Sequence, residues 1–532
     1  MSTVPSSNFI NPIIPGFYPD PSICRVGDDY YLVTSSFEFF PGVPIFHSRD
    51  LVHWRQLGHV LDRPEQLDLD GINASDGIWA PTIRHHQGRF YLITTLVNRR
   101  GGEGLHNFVV TSDNPAGPWS DPVWLPDAPG IDPSLFFDDD GRAYYIGNRR
   151  ATRPGLGAAQ REIWLQELDL ASLRLIGERY HLWDGTGGAH AEGPHIYKRD
   201  GRYYLLISEG GTHYHHCLTI ARADHVSGPY EGNEANPILT HRHLGRDYPI
   251  SNVGHGDLVE TQQGEWWLVA LASRPYGSGP DARTPPLCRN LGREVILAPV
   301  RWEEGWPIVS PGTGRVEQSS PAPNLPAQRW PMPAACDQFD DEALDPRWVF
   351  LRTPRASFWS LGERPGFLRL RPGPPLFAAN NCPSMLCRRQ QHIRFAARTD
   401  LEFAPRRPGE TAGMVLFQNA GYHLRLEVGW YETGPALRVF QAQGGPATLL
   451  AERQVGGARL GLKVEAHGQE YQFFVAERPG RWEPIGAPLD GRVLSTDRAG
   501  GFIGAMIGLY ASGDGGPSEA VADFDYFEYQ GW

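Results

Sequence analysis

The amino-acid sequence predicts an all-β protein, a five-bladed β-propeller followed by a jelly-roll-like β-sandwich, on three observations. An aromatic pair that opens a strand recurs five times, at Tyr30-Tyr31, Phe90-Tyr91, Tyr144-Tyr145, Tyr203-Tyr204 and Trp266-Trp267, with spacings of 54 to 63 residues. A repeat of this length built from short alternating strands is how propeller blades read in sequence. The composition agrees, since 61 Gly, 47 Pro, 16 Trp, 20 Tyr and 24 Phe in 532 residues favour strands and tight turns over helices. The third observation is a break in pattern. Ser319 to Ala335 is rich in proline and lacks periodicity, and the segments beyond it alternate at the strand period. The expected division is a propeller over 1–318, a linker over 319–335 and a sandwich over 336–532.

Each blade justifies itself in order. Blade one runs from Asp20 through Tyr30-Tyr31-Leu32-Val33 and Pro44-Ile45-Phe46-His47 to a turn before Trp54. Blade two repeats this with Phe90 to Thr94, Phe108 to Thr111 and the turn Gly117-Pro118-Trp119; blade four ends on the matching turn Gly228-Pro229-Tyr230. Blade three carries Ala143 to Gly147 and Ile163 to Gln166, and blade five closes through Val295 to Val300. Within each aromatic pair the two side chains point to opposite sheet faces, so both are expected as blade core. After the linker, Phe367 to Arg371, Gly413 to Phe417, Tyr422 to Val428 and Tyr471 to Val475 are separated by Gly, Pro and Asn turns, which suits a two-sheet sandwich.

The first strand of a blade lies nearest the propeller axis, so the residues that lead the five units should converge there. Aligned on the aromatic pairs they are Asp20, Ala80, Asp132, Glu192 and His255. Three carboxylates and an imidazole around one axis repel one another and lose solvation, a cost that packing gives no reason to accept. Asp before Pro is a common turn starter, and one Asp-Pro-Ser alone would be structural. Two copies in register with a glutamate point instead to glycosidic bond hydrolysis, which needs one carboxyl as proton donor and another acting through water or on the anomeric carbon. Glu192 is the natural acid, because burial beside other carboxylates raises its pKa. Asp20 is then the base and Asp132 the neighbour that tunes and orients the acid.

The formal charge of -12 argues against nucleic acid, and no run approaches membrane-spanning length. The six cysteines lack metal-ligand spacing and are expected as thiols. Met1 to Asn11 has neither a basic nor an apolar leader region, so cytoplasmic residence is expected. The run His213-Tyr214-His215-His216 invites a metal reading; as a strand it would put His213 and His215 on one face, but no Cys or carboxylate completes a set.

At Tyr18-Pro19-Asp20-Pro21-Ser22, Gly77-Ile78-Trp79-Ala80-Pro81, Ile131-Asp132-Pro133-Ser134, Ala191-Glu192-Gly193-Pro194-His195, Gly254-His255-Gly256-Asp257 and Leu291-Gly292-Arg293-Glu294 the chain resembles glycoside hydrolase family 43. Asp340 to Pro354 and Glu410 to Gln418 are similar to the C-terminal sandwich of its β-xylosidase and α-L-arabinofuranosidase branch. The resemblance implies inverting enzymes on a five-bladed propeller, with base, pKa modulator and acid falling on Asp20, Asp132 and Glu192. It also implies His255 and Arg293 at the pocket floor, Trp79, Phe37 and Phe40 as apolar walls, and Phe502 as a cap from the sandwich. One departure is Gly188-Ala189-His190-Ala191, where near relatives carry an aromatic residue or proline. The resemblance requires no cofactor. It allows calcium near the axis by His255, although imidazole is a poor ligand for so hard a cation.

The expected function is therefore exo-acting release of xylose from the non-reducing ends of short β-1,4-xylo-oligosaccharides, with α-L-arabinofuranosidase activity as a second or even the main activity. A sugar-binding propeller without catalysis and a retaining fructan-type enzyme are the competing readings. The expected partner is a small oligosaccharide, with homo-oligomerisation compatible with the sequence.

Overall fold

The computed structural model describes residues 8–532 apart from 101, 103, 152–158, 246, 278–287, 376, 378–379, 433 and 517. Five antiparallel sheets of four or five strands follow one another along the chain, beginning at Ser22, Gly77, Ser134, Glu192 and Ser251. They form the five blades of the propeller. Alternation along the second strand of each blade sends the aromatic pair into different inter-blade cores. Tyr144 packs between blades three and four, and Tyr145 between two and three. Tyr203 and Tyr204 divide in the same way between the cores on either side of blade four.

The ring closes between blades one and five. Phe9, Ile14, Ile23, Tyr30 and Phe46 share an apolar cluster with Trp267, Val269 and Leu297. Asn8–Ile10 pairs with Ser319–Pro321, and the Asn11 amide donates to the carbonyls of Leu297 and Glu317, both at 3.0 Å. The start of the proline-rich segment is thus a short strand, which its sequence did not suggest. Farther on, Gln328 N donates to Asp50 Oδ2 at 2.8 Å and the Arg55 guanidinium lies 4.0 Å from the Trp330 ring.

From Cys336 onward the strands build two sheets. The interior between them is lined by residues such as Phe395, Leu401, Met414, Leu426, Leu462 and Phe473. One sheet has eight strands, and its last member belongs to the propeller: Phe39–Phe40 pairs with Val349–Leu351, with Phe40 opposite Phe350 and Leu351 opposite Phe39. The sandwich does not merely rest on the propeller; the two share a sheet. Phe40 is consequently part of this seam, packed in the core that runs into the sandwich, and not a wall of the pocket.

The other face of that sheet presses on the propeller. Phe17, Phe37 and Phe39 pack with Val349, Leu351, Met385, Val415, Phe417, Ile503 and Met506. Arg389 Nε donates to Phe17 O at 2.6 Å, and Ala505 N to Asn290 O at 2.7 Å. Full burial of an aliphatic or phenyl side chain contributes about 1.5–3 kcal/mol, so this seam of buried residues is a major part of the propeller's stability. A chain ending at Gln318 should therefore be insoluble or inactive, because it exposes this apolar face and leaves Phe39–Phe40 unpaired. Expression of residues 1–318 checks this; a soluble fragment with wild-type turnover would contradict it.

Candidate active site

Register explains how the funnel residues are presented. The inner strands of the first four blades begin their regular pairing at Ser22, Thr82, Ser134 and His195, which face Val33, Ile93, Ile146 and Leu206, and in blade five Asp257 faces Val269 one residue after regular pairing resumes at Gly256. Two residues earlier stand Asp20, Ala80, Asp132, Gly193 and His255. Asp20, Asp132 and His255 adopt φ of 57°, 52° and 44°, and Gly193 has φ 59°. Non-glycine residues held there cost about 1–3 kcal/mol each, and such strain gathers at functional sites. In blade four the equivalent position is thus Gly193, and Glu192 lies one residue farther out. A β-bulge between Glu192 and His195 makes the difference. Glycine suits the position beside it, because a Cβ on Gly193 would stand 3.0 Å from the His255 ring and press on it.

Beneath this level a polar layer fixes the axis. Asp257, fully buried, accepts from Arg84 Nη1 at 2.8 Å, Ser22 Oγ at 2.8 Å, Tyr197 Oη at 2.5 Å and the Ile23 amide at 3.0 Å. Burial alone would raise its carboxyl, but Arg84 and these donors hold it well below the usual carboxylate range. Arg84 Nη2 lies 2.9 Å from His195 Nδ1, which is also 2.9 Å from Ser134 Oγ. Calcium would need six to eight oxygens. Here the axial carboxylate is already committed to a guanidinium, so a calcium site beside His255 does not fit these residues.

Above that layer a cavity of about 320 Å³ is lined by Asp20, Asp132, Glu192, Phe37, Trp79, His255, Arg293 and Phe502, together with Arg99, Arg161, His190, Gly211, Thr212 and His213. Of the nine side chains singled out as site residues by sequence, eight therefore meet in one cavity and Phe40 does not. Arg293 Nη1 donates to Asp20 Oδ1 at 2.6 Å, Ser35 Oγ donates to Asp20 Oδ2 at 2.6 Å, and His255 Nδ1 stands 3.9 Å from Asp20. The Gly193 amide donates to Asp132 Oδ2 at 3.2 Å. Phe37, Trp79 and Phe502 form an aromatic wall, with ring centroids 5.5–6.1 Å apart. Phe502 reaches it from the sandwich because Gly501, with φ 75°, lets the chain come so close that a Cβ there would lie 2.5 Å from Ser75 Oγ. The Phe502 amide donates to that same Ser75 Oγ at 2.9 Å.

The electrostatics separate the carboxyls. Burial would raise the Asp20 carboxyl, but Arg293, His255 and the Ser35 hydrogen bond outweigh it and hold it below its ordinary value. Burial, reinforced by the Asp20 charge, pushes Glu192 up to about 7. Asp132 is also raised, by burial first and then by Glu192 and Asp20. Near neutral pH the site therefore holds an ionised Asp20 together with a Glu192 that keeps its proton in a substantial fraction of molecules. Such a division allows one group to take a proton while the other gives one.

Sequence reading missed several cavity residues. Ser35 could have been found, because it lies opposite Asp20 when the Ser22–Val33 pairing is continued outward by two residues. Arg99, Arg161 and His190 come from other hairpins and loops and carry no repeat signal. His213 lines the cavity, but residues 211–216 form a turn and not the expected strand. His216 is buried behind the site, where its Nδ1 lies 3.1 Å from Asn252 O. The group of Glu162, His181 and Asp184 has ligand atoms close enough for a metal ion, yet Glu162 is already paired with Arg149 at 2.7 Å.

Arg293→Ala should let burial dominate at Asp20, so its carboxyl should titrate at higher pH than in the wild type. Carboxyl-directed NMR of labelled Asp20 measures this, and an unmoved titration would contradict the electrostatic role of Arg293.

Comparison with known proteins accords with this geometry. Residues 9–307 match the family model of glycosyl hydrolases family 43, and residues 336–530 match that of the beta xylosidase C-terminal concanavalin A-like domain. The chain is 44% identical over 527 residues to a xylosidase/arabinosidase of Butyrivibrio fibrisolvens, covering 97% of this chain and 98% of that protein. It is 39% identical to a non-reducing end alpha-L-arabinofuranosidase of Bacteroides ovatus, covering 98% and 94%. The crystal structure of a xylan beta-1,4-xylosidase from Bacillus halodurans superposes with a TM-score of 0.92 at 40% identity, covering 98% of this chain and all of that one. With both halves matched and the relatives aligned over nearly their full length, this chain belongs to glycosyl hydrolase family 43 and is a glycoside hydrolase.

Proposed function

We propose that this enzyme is an inverting, exo-acting β-xylosidase that releases xylose from the non-reducing ends of short β-1,4-xylo-oligosaccharides. The observation that carries the reading is the meeting of Asp20, Asp132 and Glu192 in one cavity with the Arg293 guanidinium bonded to Asp20 at 2.6 Å, which favours charge on Asp20 and a proton on Glu192. In this mechanism a water bound by Asp20 attacks the anomeric carbon while Glu192 gives its proton to the departing oxygen. The C–O bond of the leaving sugar breaks as the new C–O bond forms on the opposite face, and the water's proton passes to Asp20. Arg293 steadies the Asp20 charge before attack and can donate to a hydroxyl of the bound sugar. Asp132 keeps its own proton or shares one with Glu192, which orients the acid. The aromatic wall of Phe37, Trp79 and Phe502 offers apolar faces to the sugar ring.

A second activity, release of α-L-arabinofuranose, is favoured by the relatives, one named a xylosidase/arabinosidase and another an arabinofuranosidase. Xylopyranose and arabinofuranose can present their scissile bonds alike in such a pocket. A binding propeller without catalysis has no need for a neutral Glu192 facing a charged Asp20, so the catalytic reading is preferred.

Digestion of xylohexaose followed by proton NMR tests stereochemistry and direction together. The expected result is steady release of α-xylose with a descending ladder of oligomers; first-formed β-xylose, or early xylobiose and xylotriose without xylose, would refute the assignment. The ratio of kcat/KM on nitrophenyl β-xylopyranoside and α-L-arabinofuranoside then ranks the two activities.

The pH dependence follows from the two carboxyls. Glu192 must be protonated, so kcat/KM on xylobiose should fall as pH rises through about 7. Asp20 must be ionised, so the acid limb should lie below the usual carboxylate range. Glu192→Gln should remove the alkaline limb and slow xylobiose by roughly 10²–10⁴-fold, with a smaller loss on aryl xylosides whose leaving groups need little protonation. An alkaline limb that persists in this variant would exclude Glu192 as the acid.

A further inference from the structure

Besides the three cavity carboxyls and the axial Asp257, the carboxylate of Glu209 is buried close to the site with no role in the mechanism. Glu209 is 1% exposed and ends the strand Arg202–Glu209. It accepts from the Thr186 amide at 3.0 and 3.1 Å, Thr186 Oγ1 at 3.0 Å, the Gly188 amide at 3.0 Å and Thr219 Oγ1 at 2.7 Å. Among the described residues no Lys or Arg bonds to it. A turn of backbone amides therefore surrounds and solvates its charge, as such turns do for bound anions.

That turn leads directly to the acid. After Gly188, the Ala189 carbonyl accepts from Gly210 N at 2.7 Å, His190 N donates to Ala159 O at 2.9 Å, and the next residues are the fully buried Ala191 and then Glu192. Toward the C-terminus Glu209 is followed by Gly210 and then by Gly211, Thr212 and His213, which line the cavity. Glu209 thus joins the chain segment that carries Glu192 to the one that lines the cavity beside it. This is also the stretch, Gly188 to Ala191, where the sequence departs from the family pattern.

We infer that Glu209 is a positioning residue, whose carboxylate clamps the 185–192 turn so that Glu192 reaches the leaving oxygen. The inference rests on Glu192 being the general acid. A misplaced acid hinders only substrates whose leaving groups need a proton, whereas a loss of folded protein lowers turnover of every substrate alike. In Glu209→Gln one oxygen that receives amide hydrogens becomes an NH₂ group, which loosens the turn. In Gly188→Ala a Cβ would lie 2.9 Å from Glu209 Oε1 and push on the same clamp while the carboxylate stays.

The test is kcat/KM of both variants on xylobiose and on dinitrophenyl β-xyloside, with Glu192→Gln measured alongside. Displacement of a reacting group by about 1 Å costs on the order of 10²-fold, so the loss on xylobiose should exceed that on the dinitrophenyl substrate by about 30-fold or more. The ratio does not depend on how much of each variant is folded. Equal losses on both substrates, or none, in a background where Glu192→Gln does discriminate, would overturn the positioning role. If Glu192→Gln itself fails to discriminate, the acid assignment is wrong and the inference falls with it.

Discussion

The arrangement depends on one electrostatic constraint: two buried carboxyls and a half-buried third are gathered at the mouth of a propeller axis, and among the described residues the guanidinium bonded to one of them is that of Arg293, on Asp20. Buried charges of like sign cannot all persist in a medium of low dielectric. The cation selects which one does, and Asp20 keeps its charge while Asp132 and Glu192 are driven toward neutrality. The asymmetry needed for acid–base work thus arises chiefly from where Arg293 is placed, with His255 and the Ser35 hydroxyl adding to it.

A second arginine shows the same logic used for structure. Arg84 neutralises Asp257 on the axis just beneath, and the remaining donors at that level come from Ser22, Tyr197 and a backbone amide. Blades one, two and four each send a group to this carboxylate of blade five. Their mutual orientation is therefore tied at the centre as well as through the apolar cores between them. The strained backbone at Asp20, Asp132 and His255 sits directly on this layer, which supplies the rigidity needed to hold it.

Much of this was legible in the sequence. Aromatic pairs report blades because the strand period sends neighbours into different cores, and Asp20, Asp132, Glu192, His255 and Arg293 could be placed from the repeat and from family resemblance. The exact position of Glu192 was not legible. A bulge adds one residue at the start of its strand, and a hydrophobic pattern of period two does not register an insertion where side chains are already polar. Phe40 was misplaced because Phe37, Phe39 and Phe40 look alike in composition, and only strand pairing with Phe350 separates a seam residue from a pocket wall. Arg161 and Glu209 stand at strand ends and His190 in a loop, and no local pattern encodes that these positions meet at the site.

The shared sheet also sets an order of events in time. Strand Phe39–Phe40 leaves the ribosome early, yet its partner Val349–Leu351 follows some three hundred residues later, and Phe502 closes the site only near the end of synthesis. The nascent propeller therefore waits with an open edge and an unroofed pocket. The cavity is enclosed only with the last stretch of translation, so truncated or stalled chains carry the three axial carboxyls without the wall that Phe502 supplies.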